Sequence, residues 1–133
     1  MKLKQLFLPI LLVFGLLTTS CEEILPDLSG TYSGQMSSTF SNCPGLNGTT
    51  TNPASLVINK KSNGKYTCDE LLTCDGVRVE IPSNGEYNNT QYCNDRTNII
   101  QFRIGSGGKL TWRCETTLNN GGCKIVNKGD FYK

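Results

Sequence analysis

Apolar side chains occupy every second position in several short stretches of this chain, and polar or charged side chains fill the positions between them. Leu56 and Ile58 begin the pattern, and the stretches 77–81, 100–104 and 110–114 repeat it. A side-chain period of two is typical of β-strands that bury one face and expose the other. We find no convincing apolar repeat of 3.6 residues after residue 20. The pattern therefore predicts an all-β fold.

Clusters of glycine, asparagine and serine separate the alternating stretches. They lie at residues 62–64, 83–85, 105–108 and 119–122. Such clusters favour tight turns between antiparallel strands. We predict about seven or eight short strands, from Gly30–Phe40 to Cys123–Tyr132, with a loop over Ser41–Pro53. The expected architecture is an antiparallel meander closed into a small barrel, and a β-sandwich is the alternative.

The first 21 residues have the three-part layout of an export signal. Lys2 and Lys4 precede an apolar run over residues 6–17, and small polar residues lead from it to Cys21. Basic, apolar and small segments in this order are typical of a secretory signal peptide. A membrane-spanning helix needs about 20 apolar residues, so a cleaved signal fits this short run better. We predict a signal at 1–20, a tether at 21–27 and a β domain at 28–133.

Residues 16–21, with the sequence Leu-Leu-Thr-Thr-Ser-Cys, resemble the lipobox of bacterial lipoproteins. The resemblance implies that fatty acyl chains such as palmitate modify Cys21 and anchor the chain in the bacterial outer membrane. Three acyl chains should hold a protein firmly, because one alone binds only marginally. Glu22 and Glu23 are similar to a surface-export signal of some Gram-negative lipoproteins. The alternatives are an ordinary cleavage site for Cys21 and a solvated tether for the two glutamates.

Composition limits the possible partners of the mature chain. Removal of 20 residues from 133 leaves 113, the length of one domain. The net charge of +2 belongs to the full chain, and it falls to near zero once Lys2 and Lys4 are removed. A nucleic-acid partner would require a strong basic excess, so we expect none. We expect a monomer whose membrane contact is its lipid anchor.

Six cysteines follow Cys21, and the chain contains no histidine. They are Cys43, Cys68, Cys74, Cys93, Cys114 and Cys123. Zinc sites typically use histidine or Cys-x-x-Cys spacing, and neither occurs here, so we expect no metal. In an oxidising compartment six cysteines predict three disulfides, each of which contributes about 2–4 kcal/mol. Of the 15 possible pairings, our hypothesis is Cys68–Cys74, Cys114–Cys123 and Cys43–Cys93.

Gly30-Thr31-Tyr32 near the start of the β domain, and Gly129 to Lys133 at its end, look like the small lipocalin-like (calycin-type) lipoproteins of Gram-negative bacteria. The resemblance implies an up-and-down barrel with a ligand cavity. In lipocalins and the related avidin group a Gly-x-Trp motif closes one end of the barrel. Tyr32 holds the place of that tryptophan here.

Four aromatic residues are candidate ligand contacts: Tyr32, Trp112, Tyr87 and Tyr92. Trp112 serves either as a core residue or as a ligand platform. Tyr87 and Tyr92 flank a polar loop, where they stack on sugars, anchor a protein or pack on a disulfide. Arg78, Arg103 and Arg113 fall in outward-facing rows, which indicates cross-strand charge pairs or, as an alternative, an anion-binding face.

Without histidine the chain has no Ser-His or Cys-His arrangement for nucleophilic catalysis. We therefore expect a protein that is not an enzyme and that needs no cofactor. The favoured function is a lipid-anchored envelope module that binds a small or extended ligand in a lipocalin-like barrel. The alternative is a surface module that binds a protein or glycan through the loops 41–53 and 87–96, with no internal ligand.

Overall fold

The computed structural model describes residues 25–133, which fold as one antiparallel β-sheet of seven strands. The strands are β1 Gly30–Ser41, β2 Gly48–Lys60, β3 Tyr66–Cys68, β4 Glu86–Tyr92, β5 Arg96–Ile104, β6 Lys109–Leu118 and β7 Lys124–Tyr132. The all-β prediction is confirmed, and so is the expected strand number. Residues 1–24, which include the predicted signal and Cys21, lie outside the described part. Within residues 25–133 no helix is long and apolar enough to cross a bilayer.

The sheet curls into a half-barrel and does not close. Its strand order is β3-β2-β1-β7-β6-β5-β4, so the first and last strands of the chain are neighbours and β3 and β4 form the two edges. A β-sandwich, the alternative prediction, would have two packed sheets, but the seven strands form one sheet. The connection 69–85 leads from one edge strand to the other and bridges back to β3 through the pair Tyr66–Ile81. Irregular chain therefore occupies the side where a closed barrel would need paired strands.

Two glycines permit close contact between β1 and β7 in the middle of the sheet. A Cβ atom on Gly34 would lie 2.2 Å from the carbonyl oxygen of Asp130. A Cβ atom on Gly129 would lie 2.5 Å from the carbonyl oxygen of Gln35. Glycine inside a strand commonly marks a tight bend or a close approach of two backbones. β1 and β7 can therefore pair this closely only with glycine at these two positions.

The hydrophobic core fills one end of the half-barrel. Fourteen buried residues form it, contributed by the predicted alternating rows and by the connection 69–85. They are Leu28, Tyr32, Leu56, Ile58, Tyr66, Cys68, Leu71, Val79, Ile81, Ile100, Phe102, Ile104, Leu110 and Phe131. Burying one such large apolar side chain contributes about 1.5–3 kcal/mol. The predicted strands around Leu56, Ile100 and Leu110 are thereby confirmed.

Three local predictions were wrong. Residues 48–53 were predicted as part of a loop, but they belong to β2. The hydroxyls of Thr49 and Thr51 form hydrogen bonds with those of Thr39 and Ser37 on β1. Residues 87–92 form the edge strand β4, although their polar sequence resembles a loop. Residues 77–81 show strand-like alternation, but they run through the irregular connection with isolated bridges only. Pairing with another strand outweighed the local pattern at residues 48–53 and 87–92, and lack of such pairing outweighed it at residues 77–81.

Within residues 25–133 the structure has two disulfides, Cys43–Cys123 and Cys74–Cys93, while Cys68 and Cys114 form none in this range. All three hypothesised pairs were wrong. Cys43 follows β1 and Cys123 precedes β7, and these strands pair up to Ser41–Lys124, which brings the two Cα atoms to 4.4 Å. Closeness in sequence was therefore a poor guide, because pairing between the first and last strands joins distant cysteines.

Candidate functional site

The inward-facing row of the sheet changes from apolar to polar part-way along the strands. On β5 the inward row continues from Phe102 and Ile100 to Asn98, and on β6 it passes through Cys114 to Thr116. On β7 it passes from Phe131 to Asn127. In register, Asn98 and Thr116 lie opposite Ile125, whereas Asn127 lies opposite Cys114. Polar positions therefore follow the packed core on each of these strands without sharing one height, and we call them the polar floor.

Hydrogen bonds join the polar residues of this floor across neighbouring strands. The Thr116 hydroxyl donates to Asn98 Oδ1 at 2.9 Å, and the Asn98 amide lies 3.5 Å from Gln91 Oε1. On β1 and β7, the Ser38 hydroxyl donates to Asn127 Oδ1 at 2.6 Å. We call these five residues the polar ladder. Their mutual hydrogen bonds fix the side-chain orientations in the free protein. Binding a ligand would then cost less side-chain conformational entropy.

The connection 69–85 lies over Asn98, Thr116 and Asn127 of the polar ladder, and we call it the roof. Gln91 Nε2 donates to the carbonyl oxygen of Leu72 at 3.3 Å, and the Cys74–Cys93 disulfide joins the roof to the end of β4. Between roof and sheet lies a cavity of about 370 Å³, which we call the inner cavity. Pockets for small ligands span about 300–1,000 Å³, so the inner cavity lies at the small end of that range.

Trp112 lines the inner cavity and also packs against the core. Its ring meets Phe102 edge to face at a centroid distance of 6.2 Å. The indole Nε1 is buried, and it has no hydrogen-bond partner among residues 25–133. A buried donor without a partner costs about 1–3 kcal/mol. Trp112 thus packs against the core without belonging to it, and a ligand contact at this position stays a prediction.

Charged and reactive groups also line the inner cavity. The Arg96 guanidinium lies at its rim, where it contacts the Asp95 carboxylate at 3.1 Å, and Glu70 belongs to the roof. Burial raises the pKa of the Cys114 thiol, so this group is neutral at ordinary pH. Asn98, Thr116 and Asn127 were not predicted as site residues, and Arg96 was predicted only as the end of the loop 87–96. Continuing the period-two row from Ile100 to Asn98 and Arg96 would have revealed the polar floor.

A second cleft lies beside the edge strand β4. Tyr87 and Tyr92 line it together with Asn89 and with the Cys74–Cys93 disulfide, and its volume is about 480 Å³. Tyr92 is 81% exposed, while the Tyr87 hydroxyl accepts a hydrogen bond from Asn89 at 3.0 Å. The structure thus brings these two predicted residues to one surface, which we call the edge cleft.

Tyr32 lies in the apolar core at the opposite end of the half-barrel. It is 1% exposed, its hydroxyl donates to the Leu28 carbonyl at 2.8 Å, and burial raises the pKa of its phenol. Ser38 of the polar ladder stands six residues farther along β1, which is about 20 Å in a strand. Tyr32 therefore has a packing role at the filled end, and its predicted ligand contact gains no support from its position.

The free thiol of Cys68 is also part of the filled end. Burial is the main cause that raises its pKa to about 12. Because the thiolate is the reactive form of cysteine, such a group is inert at neutral pH. Cys68 is therefore a packing residue.

Comparisons with protein-family models, with curated proteins and with solved structures each found no match for this chain. The candidate site therefore depends on the geometry of its own residues.

Proposed function

We propose that this chain is an exported, lipid-anchored binding module that holds a small polar ligand in the inner cavity. The observation that carries the proposal is the cavity of about 370 Å³ beneath the roof, which Trp112 helps to line and beside which the buried indole N–H of this residue has no partner among residues 25–133. In native proteins most buried donors have partners, so an exception calls for an explanation. Because Nε1 is buried, a ligand oxygen would supply the missing acceptor if the side chains around the indole moved on binding.

The lining of the inner cavity suggests the chemistry of this ligand. Asn98, Thr116 and Asn127 present amide and hydroxyl groups on one side, while Leu71 and Leu72 of the roof are apolar. Ligand pockets usually combine apolar surface with a few placed polar groups. The expected ligand has the size of an amino acid or a monosaccharide, carries oxygen acceptors, and turns one apolar face to the roof.

Intrinsic fluorescence tests this proposal directly, because Trp112 is the one tryptophan in the chain. The folded protein is titrated with a panel of amino acids and monosaccharides, and a binder should shift the Trp112 emission. Thr116→Val keeps the side-chain shape and removes the hydroxyl, so it should weaken binding at least tenfold. Thr117→Val is the matched control, because Thr117 is the next residue on β6 and lies in the opposite row. Equal affinity of both variants would contradict the proposal.

The anchor has its own test. The proposal assigns the acyl chains to Cys21, as the resemblance to the lipobox suggests. Mass spectrometry of native protein should find a modified cysteine at the mature N-terminus. Cys21→Ser should move the protein from the membrane fraction to the soluble fraction. A native protein that retained residues 1–20, or that showed an unmodified Cys21, would rule out this anchor.

The edge cleft favours a second candidate function, the binding of a glycan through its two tyrosines. Tyr92 is exposed, while Tyr87 is half-buried against the core. Aromatic rings beside amides suit stacking on sugar rings, and the Cys74–Cys93 disulfide restrains this surface. Tyr92→Ala should abolish binding to a glycan array if the edge cleft is the site. Tyr132→Ala is the control, since Tyr132 is also exposed but lies at the end of β7. Equal losses in both variants would exclude the edge cleft.

A further inference from the structure

The outward face of the sheet carries a groove across β1 and β4–β7. Its volume is about 710 Å³, and the exposed rows of these strands line most of it, together with Phe102, Trp112 and Gly129 of the inward rows. Successive residues of a strand point to opposite faces, so the groove lies on the other side of the sheet from the inner cavity. We call it the outer groove. A ligand bound there would be separate from a ligand of the inner cavity.

Two cations stand directly opposite each other in the outer groove. Arg113 on β6 pairs in register with Lys128 on β7. The Leu118 N–H donates to the Cys123 carbonyl, and the Lys133 N–H donates to the Gly108 carbonyl. Alternation from these two pairs makes Arg113–Lys128 a non-hydrogen-bonded pair. In such pairs the Cα atoms are about 4.5 Å apart and the side chains are close. Like charges in this arrangement destabilise a sheet.

The other charges of the groove are already paired with each other or with neighbours. Glu86 contacts Arg103 at 3.2 Å, and Asp130 contacts Lys109 at 3.2 Å. Arg113 reaches Glu115 at 3.4 Å, but the same carboxylate is held more closely by Lys124, at 2.6 Å. Lys128 forms no ion pair with any residue in the range 25–133. The middle of the outer groove therefore carries uncompensated positive charge.

Neutral hydrogen-bonding groups continue the row on both sides of the two cations. Gln101 pairs in register with Arg113, and Ser37 pairs with Lys128. We propose that Arg113 and Lys128, flanked by Gln101 and Ser37, bind the oxyanion of an acidic oligosaccharide, which is a carboxylate, sulfate or phosphate carried on sugar. An oxyanion between the two cations would relieve their repulsion. The amides and hydroxyls along the groove suit the hydroxyl groups of the sugars.

Four probes distinguish an acidic oligosaccharide from a neutral one, from a free inorganic anion and from an acidic peptide. They are tetragalacturonate, its fully methyl-esterified form, inorganic sulfate and tetraglutamate. Binding is followed by NMR on the folded protein. Tetragalacturonate should bind and shift the backbone amides of Ser37, Gln101, Arg113 and Lys128, and the uncharged ester should not.

Paired variants test the two cations. Arg113→Gln combined with Lys128→Gln should weaken tetragalacturonate at least tenfold, while Arg113→Lys should retain most of the affinity. The control combines Arg78→Gln with Lys65→Gln, which removes the same charge from residues outside the groove, and it should stay within twofold. A dispersed amide spectrum verifies that each variant is folded.

Several results would overturn the proposal. Equal weakening in the control pair would mean that net charge alone attracts the ligand. Equal affinity for the methyl ester would remove the role of the anion. Sulfate binding as tight as tetragalacturonate would indicate a site for a free anion, and equally tight tetraglutamate would indicate an acidic peptide. No binding of tetragalacturonate would refute the proposal outright.

Discussion

The two disulfides should contribute unequally to stability, because they close loops of different length. Cys43–Cys123 spans 80 residues, whereas Cys74–Cys93 spans 19. In the chain-entropy treatment, a cross-link stabilises by restricting the unfolded chain, and the effect grows with the logarithm of the loop length. The relation gives about 4.5 kcal/mol for the long loop and about 3.2 kcal/mol for the short one at 25 °C.

The perturbation is a pair of double substitutions, Cys43→Ala with Cys123→Ala, and Cys74→Ala with Cys93→Ala. Total stability of a domain is about 5–15 kcal/mol, so the first pair should remove about 30% or more of it. Urea unfolding followed by circular dichroism measures both losses. We expect the long-loop variant to be less stable than the short-loop variant by about 1.3 kcal/mol, which follows from the same loop-length relation.

A third variant controls for the chemistry of the substitution itself. Cys114→Ala removes a thiol that is free in the structure, so it should change stability far less than either double substitution. The reasoning fails if the short-loop variant is the less stable of the two, or if Cys114→Ala is as costly as a broken disulfide. Peptide mapping without reduction provides an independent check, because a Cys68–Cys74 or Cys114–Cys123 peptide would contradict the structure.

Three further predictions concern packing and charge. Gly34→Ala should destabilise the protein by about 1–3 kcal/mol, because its Cβ would meet the Asp130 carbonyl oxygen, whereas Gly107→Ala, with open space around it, should be neutral in urea unfolding. Lys128→Gln should stabilise the protein at low salt by less than about 1 kcal/mol, which a higher melting temperature would show. High salt should remove the gain because it screens the repulsion between Arg113 and Lys128. Folding raises the pKa of Cys68 from 9.0 to about 12. The contribution of Cys68 to the free energy of unfolding is therefore complete below pH 9, where the thiol is protonated in the folded and unfolded states. It is lost progressively as pH rises towards 12. Cys68→Ala should flatten that alkaline loss in pH-dependent unfolding, and an unchanged slope would contradict the assignment.

Local pattern was sufficient for the strands that bury an apolar row. Ile100, Phe102 and Ile104 on β5 report their burial by alternation alone, and the glycine-rich cluster after them correctly predicts the turn. The edge strand β4 lacked this signal because its residues are nearly all polar. The first half of β2 lacked it too, because residues 48–53 are exposed on both faces.

Long-range arrangement was beyond a local reading of the chain. Pairing of β1 with β7 decides that Cys43 meets Cys123, and no spacing between cysteines encodes that pairing. The inner cavity needs both the polar ladder and the roof, which are distant in sequence. One part of it was nevertheless readable, since Asn98 and Thr116 continue the apolar rows of β5 and β6 with polar side chains.

The open edge at β4 has a consequence for how this molecule meets other chains. Gly85 and Cys93 bond to β5 through their backbones, so alternation turns the amide and carbonyl groups of Glu86, Asn88 and Thr90 away from the sheet. Bare main-chain groups of this kind are a template on which another extended segment can assemble. An eighth strand from another chain would therefore pair with Glu86–Thr90. It would extend the half-barrel towards the closed form that the 109 described residues do not reach.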